Sequence, residues 1–144
     1  MRALLDINFL IALLDADHLF HGRAHDWWAE HAEQGWASCP LTENGVVRIM
    51  SNPAYSRSLK IAPADVVLRL GAFATNADHE FWPDEISLRD ASVFALERIH
   101  SSRQLTDIYL LGLATHRKGR LVTFDRGVPL SAVPATDSAN LILL

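Results

Sequence analysis

Asp6, Glu43, Asp107 and Asp125 are the residues of this chain whose types and surroundings point most directly to chemistry. Each interrupts or borders an apolar run, in "LLDINFLIALL", "CPLTENGVVRI", "LTDIYLLGLA" and "LVTFDRG". A carboxylate drawn out of water without a partner is costly, and several gathered together repel one another. Such a group is sustained when a cation neutralises it. Carboxylate oxygens with no Cys or His beside them suit the hard ions Mg²⁺ or Mn²⁺. An ion held there polarises a phosphoryl oxygen and acidifies a water, and the reaction that fits best is hydrolysis of a phosphodiester. Taken singly, each acid has a plainer reading. Asp after a strand is a turn former or helix cap, and an acid in the first turn of a helix is favoured by the helix dipole. The chemistry therefore rests on the four acids meeting.

The elements that must bring them together are legible as short apolar runs alternating with longer amphipathic ones. "RALL" predicts a first strand, followed by a helix over Asn8 to Leu14. "HGRAHDWWAEHAEQG" predicts a helix ended by Gly35, and "WAS" a second strand. "LTENGVVRIMS" reads as a helix capped by Thr42, with Pro53 just past its end. "APADVVLRLGAFA" reads as a helix with Pro63 in its first turn, and "HEFW" as a third strand stopped by Pro83. Leu88 to Ile99 predicts a helix or a pair of helical turns, and "LTDIYLLGLATHRKG" a helix ended by Gly119. "RLVTF" and "NLILL" complete the set as strands four and five. Short apolar strands separated by helices imply an α/β fold, a mainly parallel sheet covered on both faces. In such sheets ligands gather outside the carboxyl ends of the strands. Asp6 follows strand one and Asp125 follows strand four. Glu43 opens the helix after strand two, and Asp107 opens the helix that feeds strand four. Topology alone thus sends all four acids to one edge.

The totals are consistent with this. The 144 residues, 49% of them hydrophobic, fit a single domain over 1–144 that can bury a core without disulfides. The lone Cys39 has no internal partner, and no signal peptide or bilayer-spanning run is evident, so a cytoplasmic location away from any membrane is expected. A net charge of −4 argues against a protein whose task is to coat nucleic acid. It does not argue against an enzyme that acts on one.

The four quoted stretches together resemble the PIN-domain ribonucleases, in particular the VapC toxins of bacterial toxin–antitoxin pairs, and the resemblance runs from the first strand to beyond Asp125. It implies a three-layer α/β/α fold and Mg²⁺-dependent endoribonuclease activity on RNA, with Mn²⁺ as a substitute. It also implies inhibition by a small VapB-type antitoxin, and a homodimer. Carried over by position, Asp6, Glu43, Asp107 and Asp125 match the family's acidic quartet. Asp6 and Asp107 are the direct metal ligands on this reading, while Glu43 and Asp125 complete the site through a bound water or a second ion. Asn8 and Thr123, with Thr106 a weaker candidate, match polar positions that orient carboxylates. The segment from Ser56 to Arg89 is the least family-like.

Several other features carry less. His18, His21 and His25 have a spacing that can bind zinc, but no fourth ligand is evident, so a helical face without metal is the better account. Of Trp27 and Trp28, one is expected in the core and the other near the edge. "HRKGR" closes a helix and enters strand four at the edge opposite the acids, so Arg48, Arg57, Lys60 and Arg126 are better candidates for RNA contact. Cys39 reads as a small buried residue, with no His positioned to activate it. A haloacid-dehalogenase-like phosphatase needs an Asp where Asn8 stands, and a receiver domain needs a lysine after a later strand. The remaining alternative is a degenerate PIN module that binds RNA or a partner without cutting.

Overall fold

Among the described residues the sheet has five strands, each only three or four residues long, and all of their pairings are parallel. The computed structural model describes residues 1–56 and 60–144. The strands are β1 (Ala3–Leu5), β2 (Trp36–Ser38), β3 (His79–Phe81), β4 (Arg120–Thr123) and β5 (Leu141–Leu143), in the order β3-β2-β1-β4-β5. The helices are α1 (Ile7–Leu14), α2 (His21–His31), α3 (Pro40–Met50), α4 (Pro63–Thr75) and α5 (Leu105–His116). The sheet therefore runs outward from β1 in both directions, and the crevice between β1 and β4 is its topological switch point.

Strands this short hold a sheet because both of their faces are buried. Successive side chains point to opposite sides. Ala3 and Leu5, Trp36 and Val122 pack into one core with Phe9, Ile11, Trp27, Val46 and Leu70 from α1 to α4. Leu4, Ala37 and Leu121 pack into the other with Trp82, Phe94, Ile108, Leu111 and Leu113. The expected three-layer α/β/α arrangement is the result, with a wholly parallel sheet at its centre. Among the described residues no helix is long and apolar enough to cross a membrane.

Local departures from the sequence reading have local causes. Helix α3 starts at Pro40, with Cys39 extended as its cap residue. Thr42 is the third helical residue instead of the cap, and its Oγ1 accepts from the Cys39 N–H at 3.0 Å. The stretch Leu88 to Ile99 holds only turns and one 3₁₀ turn, Leu96–Arg98. Its apolar side chains, led by the buried Phe94, cover the α5 layer without needing a helix. Gly35 does end the α2 segment with a left-handed φ of 79°, but after an intervening 3₁₀ turn, Ala32–Gln34.

At the end of α5 the left-handed residue is Lys118 (φ 57°), not Gly119. Lys118 N–H bonds Thr115 O at 3.0 Å and Gly119 N–H bonds Ala114 O at 2.7 Å, a Schellman closure. Gly119 is needed for space: an added Cβ would stand 2.7 Å from Arg2 O and 2.9 Å from the Trp82 ring. A backbone oxygen cannot swing aside, so Gly119→Ala is expected to destabilise the fold by about 1–3 kcal/mol. Denaturant unfolding measures this, and an unchanged midpoint would refute it.

Candidate functional site

Asp6 leaves β1 with extended backbone and caps α1. Its Oδ1 accepts from the Ile7 N–H at 2.7 Å, and its Oδ2 accepts from Thr123 Oγ1 at 2.6 Å. The side chain is 3% exposed. Thr123 ends β4, the neighbouring strand, and the same hydroxyl accepts from the Asp125 N–H at 3.0 Å. One buried threonine thus ties the exits of β1 and β4 together and sets the direction of the Asp6 carboxylate. Asp125 turns back on its own loop and accepts from the Gly127 N–H at 2.7 Å. The cap and turn roles of Asp6 and Asp125 are therefore real, and they coexist with their convergence.

Asp107 arrives from the first turn of α5. Its carboxyl lies within hydrogen-bonding reach of Asp125 and feels the negative charge of Asp6. Burial first, then the Asp6 charge and the bond to Asp125, push its carboxyl up to about 7. Burial also raises Asp6, against the donors Thr123 and Ile7 and with the Asp125 charge adding to the rise. No cation figures among the groups acting on either side chain. Asp6, Asp107 and Asp125 thus form an acidic cluster at the β1/β4 switch point, and among the described residues no basic side chain offsets the charge on Asp6 or Asp107. Among the described residues no three His, Cys, Asp or Glu side chains stand as a ready cage for a metal ion. The donor set is nevertheless all oxygen, which is the chemistry of a hard divalent cation.

Glu43 lies in the first turn of α3, after the exit of β2, and its contacts differ. Its Oε1 accepts from Ser38 Oγ at 2.6 Å, and Ser38 Oγ is also 2.8 Å from His79 Nε2. Glu43 does not figure among the groups that shift Asp6 or Asp107. The structure therefore gathers three of the four acids into one electrostatic unit and places the fourth on the same edge, in its own hydrogen-bond network. A cleft of about 750 Å³ opens beside it between α3 and α4, lined by Trp36, Pro40, Asn44, Arg48 and Phe81 among others. His79 is held below its usual range chiefly by burial, with the Glu43 charge opposing.

Of the polar flanking residues, Thr123 orients a carboxylate, while the exposed Asn8 and Thr106 make no hydrogen bond to the acids among the described residues. Ser38 and His79 were not anticipated. Ser38 is the polar residue that ends an apolar strand, the same signal that marks Thr123. His79 carries no such signal, because its nearness to Ser38 depends on the register of β3 against β2.

The remaining features settle on structural roles. His21 Nδ1 lies 2.7 Å from Ala12 O and His25 Nε2 lies 3.2 Å from Leu13 O, so these imidazoles cover the last carbonyls of α1. Trp27 is in the core and Trp28 is half-buried. In "HRKGR", His116 and Arg117 both reach Glu85, and Arg120 donates to Gln34 Oε1 at 2.8 Å. Burial pushes the Cys39 thiol up to about 11, which leaves it an unreactive core residue. Arg48, Lys60 and Arg126 are exposed, whereas Arg57 lies outside the described residues.

An acidic cluster at the switch point of a five-stranded parallel α/β sheet defines the general class: an α/β protein with a hard-cation type of site at the carboxyl edge. Comparison with known proteins narrows this. The chain is 47% identical over its full length, and over the full length of the relative, to Ribonuclease VapC44 of Mycobacterium tuberculosis. It is 40% identical to Ribonuclease VapC39 of the same organism, covering 92% of this chain and 94% of that one. No protein-family model matches the chain. In fold it is similar to a chain in the crystal structure of VapBC2 from Rickettsia felis bound to a DNA fragment from their promoter, with a TM-score of 0.53 at 12% identity, over 87% of this chain and 89% of that one. The chain belongs to the VapC ribonuclease family.

Proposed function

We propose that this protein is a Mg²⁺-dependent endoribonuclease, with Mn²⁺ able to replace Mg²⁺, that acts as the toxin of a toxin–antitoxin pair. The observation that carries the reading is the meeting of the desolvated Asp6 and Asp107 with the exposed Asp125, in a chain 47% identical to a relative named a ribonuclease. Asp6 and Asp107 would hold the ion, with Asp125 and Glu43 completing the site. The ion, when bound, supplies neutralising charge and Lewis acidity toward a phosphoryl oxygen. The chain's own residues do the rest. Thr123 holds the Asp6 carboxylate in one orientation. Asp107, whose carboxyl is pushed up to about 7, would give up its proton on taking an ion. The exposed Arg48 and Arg126 lie on the segments that follow Glu43 and Asp125 and suit contact with RNA phosphates.

The partner reading is a VapB-type antitoxin, with the toxin itself a homodimer. Its support is the relationship to a VapBC complex, together with apolar side chains left in solvent, among them Leu68 at 71% and Phe81 at 53% exposure. The decisive experiment is cleavage of a folded RNA by the purified protein. Mg²⁺ is expected to support cleavage and a chelator to stop it, with Mn²⁺ restoring it. RNA binding without cleavage under all three conditions would instead establish a binding module.

A further inference from the structure

Ser38 is fully buried and carries one hydroxyl proton, yet its Oγ has two partners, Glu43 Oε1 at 2.6 Å and His79 Nε2 at 2.8 Å. An ionised carboxylate only accepts hydrogen bonds. The single Ser38 proton must therefore go to Glu43, and His79 must be the donor, from a protonated Nε2. The direction of the chain is fixed: His79 Nε2–H to Ser38 Oγ, and Ser38 Oγ–H to Glu43 Oε1. The three residues come from three elements, β3, β2 and α3. The histidine ring is held from the side by Trp36, with ring centroids 4.3 Å apart.

We propose that Ser38 and His79 are positioning residues for Glu43, forming a hydrogen-bond relay that fixes one oxygen of its carboxylate and leaves the other to serve the reaction at the acidic edge. The inference rests on the nuclease reading and deepens it. Without the relay, Glu43 is a side chain with three rotatable bonds at the mouth of an open cleft, lined by Asn44 and Arg48. With it, the carboxylate is anchored to the central sheet through a buried hydroxyl. Cross-strand packing against Trp36 holds the donor that polarises that hydroxyl. A chain of two bonds in a buried setting strengthens the terminal one, because each donor is made more acidic by the bond it accepts. The edge strand β3 thereby contributes to the site without any of its residues reaching the acids.

The test uses His79→Phe, which keeps an aromatic ring against Trp36 but removes the donor, and His79→Gln, whose amide Nε2–H can donate in the same place. Ser38→Ala removes the relay at its centre. In Mg²⁺-dependent cleavage of RNA, His79→Phe and Ser38→Ala are expected to lower kcat roughly tenfold, as loss of an orienting partner does, with KM within about twofold. His79→Gln is expected to recover most of the loss, which a purely structural role of the ring would not allow. A wild-type kcat in His79→Phe, or a His79→Gln variant as impaired as His79→Phe, would overturn the proposal and leave the nuclease reading standing. A wild type that does not cleave RNA at all would remove the nuclease reading and the catalytic meaning of the relay with it. The geometry is read separately by nitrogen-15 NMR of the imidazole. His79 is expected to be protonated at Nε2 in the wild type and to lose that preference in Ser38→Ala. A His79 protonated only at Nδ1 would overturn the relay irrespective of activity.

Discussion

Asp6→Asn is expected to lower RNA cleavage by at least about a hundredfold while leaving the protein as stable as the wild type or more so. The two halves have one cause. Asp6 is buried, and its charge is opposed by desolvation and by the Asp125 carboxylate. Removing the charge therefore relieves the fold. Asparagine is nearly isosteric, and its single carbonyl oxygen can keep one of the two bonds that Asp6 accepts, from the Ile7 N–H or from Thr123 Oγ1. What it cannot do is neutralise a cation. Metal-centred charge stabilisation is worth several kcal/mol, and each ~1.4 kcal/mol is a factor of ten in rate. Cleavage assays paired with thermal unfolding in the absence of metal check both halves. Loss of activity with a lower unfolding midpoint would assign Asp6 a structural task, and retained activity would remove it from the site.

The second large effect is a dependence on pH. Asp107 titrates at about 7 in the folded protein against 3.8 for the free side chain, chiefly through burial and the Asp6 charge. The folded state thus holds a proton that the unfolded state releases. This contribution to stability is fully present below about pH 4 and is lost as pH rises through about 7. His79, whose ring titrates below its usual range, works in the opposite direction as pH falls below that range. The clean observable is therefore the difference from Asp107→Asn, in which the His79 contribution cancels. That variant is expected to be the more stable protein above pH 7 and to lose its advantage steadily as pH falls from 7 toward 4. A cation bound by Asp107 must displace the same proton. Apparent Mg²⁺ affinity is accordingly expected to rise about tenfold per pH unit from 5 to 7 and to level off above, with one proton released per site. Calorimetric titration in buffers of different ionisation enthalpy measures this. An affinity independent of pH would exclude Asp107 from the ligand set.

Much of the site was readable because strand exits are marked by a change from apolar to acidic residues. Asp6 after "ALL" and Asp125 after "LVTF" needed only the alternation of elements to be placed on one edge, and the structure sets them at adjacent strands. Asp107 followed from the rule that a helix feeding a parallel strand begins at that edge. Glu43 reached the edge as expected, but its partners were not legible, since Ser38 and His79 are 41 residues apart and meet only through the pairing of β2 with β3. The region after β3 misled for a related reason. The apolar residues Leu88, Val93 and Phe94 have helix-compatible spacing, yet they serve as a cover for α5 and fold as turns. The histidine series at 18, 21 and 25 looked like a ligand spacing, but two of its rings cover the open carbonyls at the end of α1.

From the order of residues alone come the parallel α/β layering, the edge at which the acids collect and the identity of those acids, because periodicity and strand exits are local properties of the chain. Tertiary structure alone decides which oxygens meet: that Thr123 binds Asp6 and the Asp125 backbone at once, that Asp107 comes within hydrogen-bonding reach of Asp125, and that Glu43 is held by Ser38. Those contacts depend on the crossing of strands distant in sequence and on how far each side chain is withdrawn from water. Neither quantity exists until both cores have closed around the sheet.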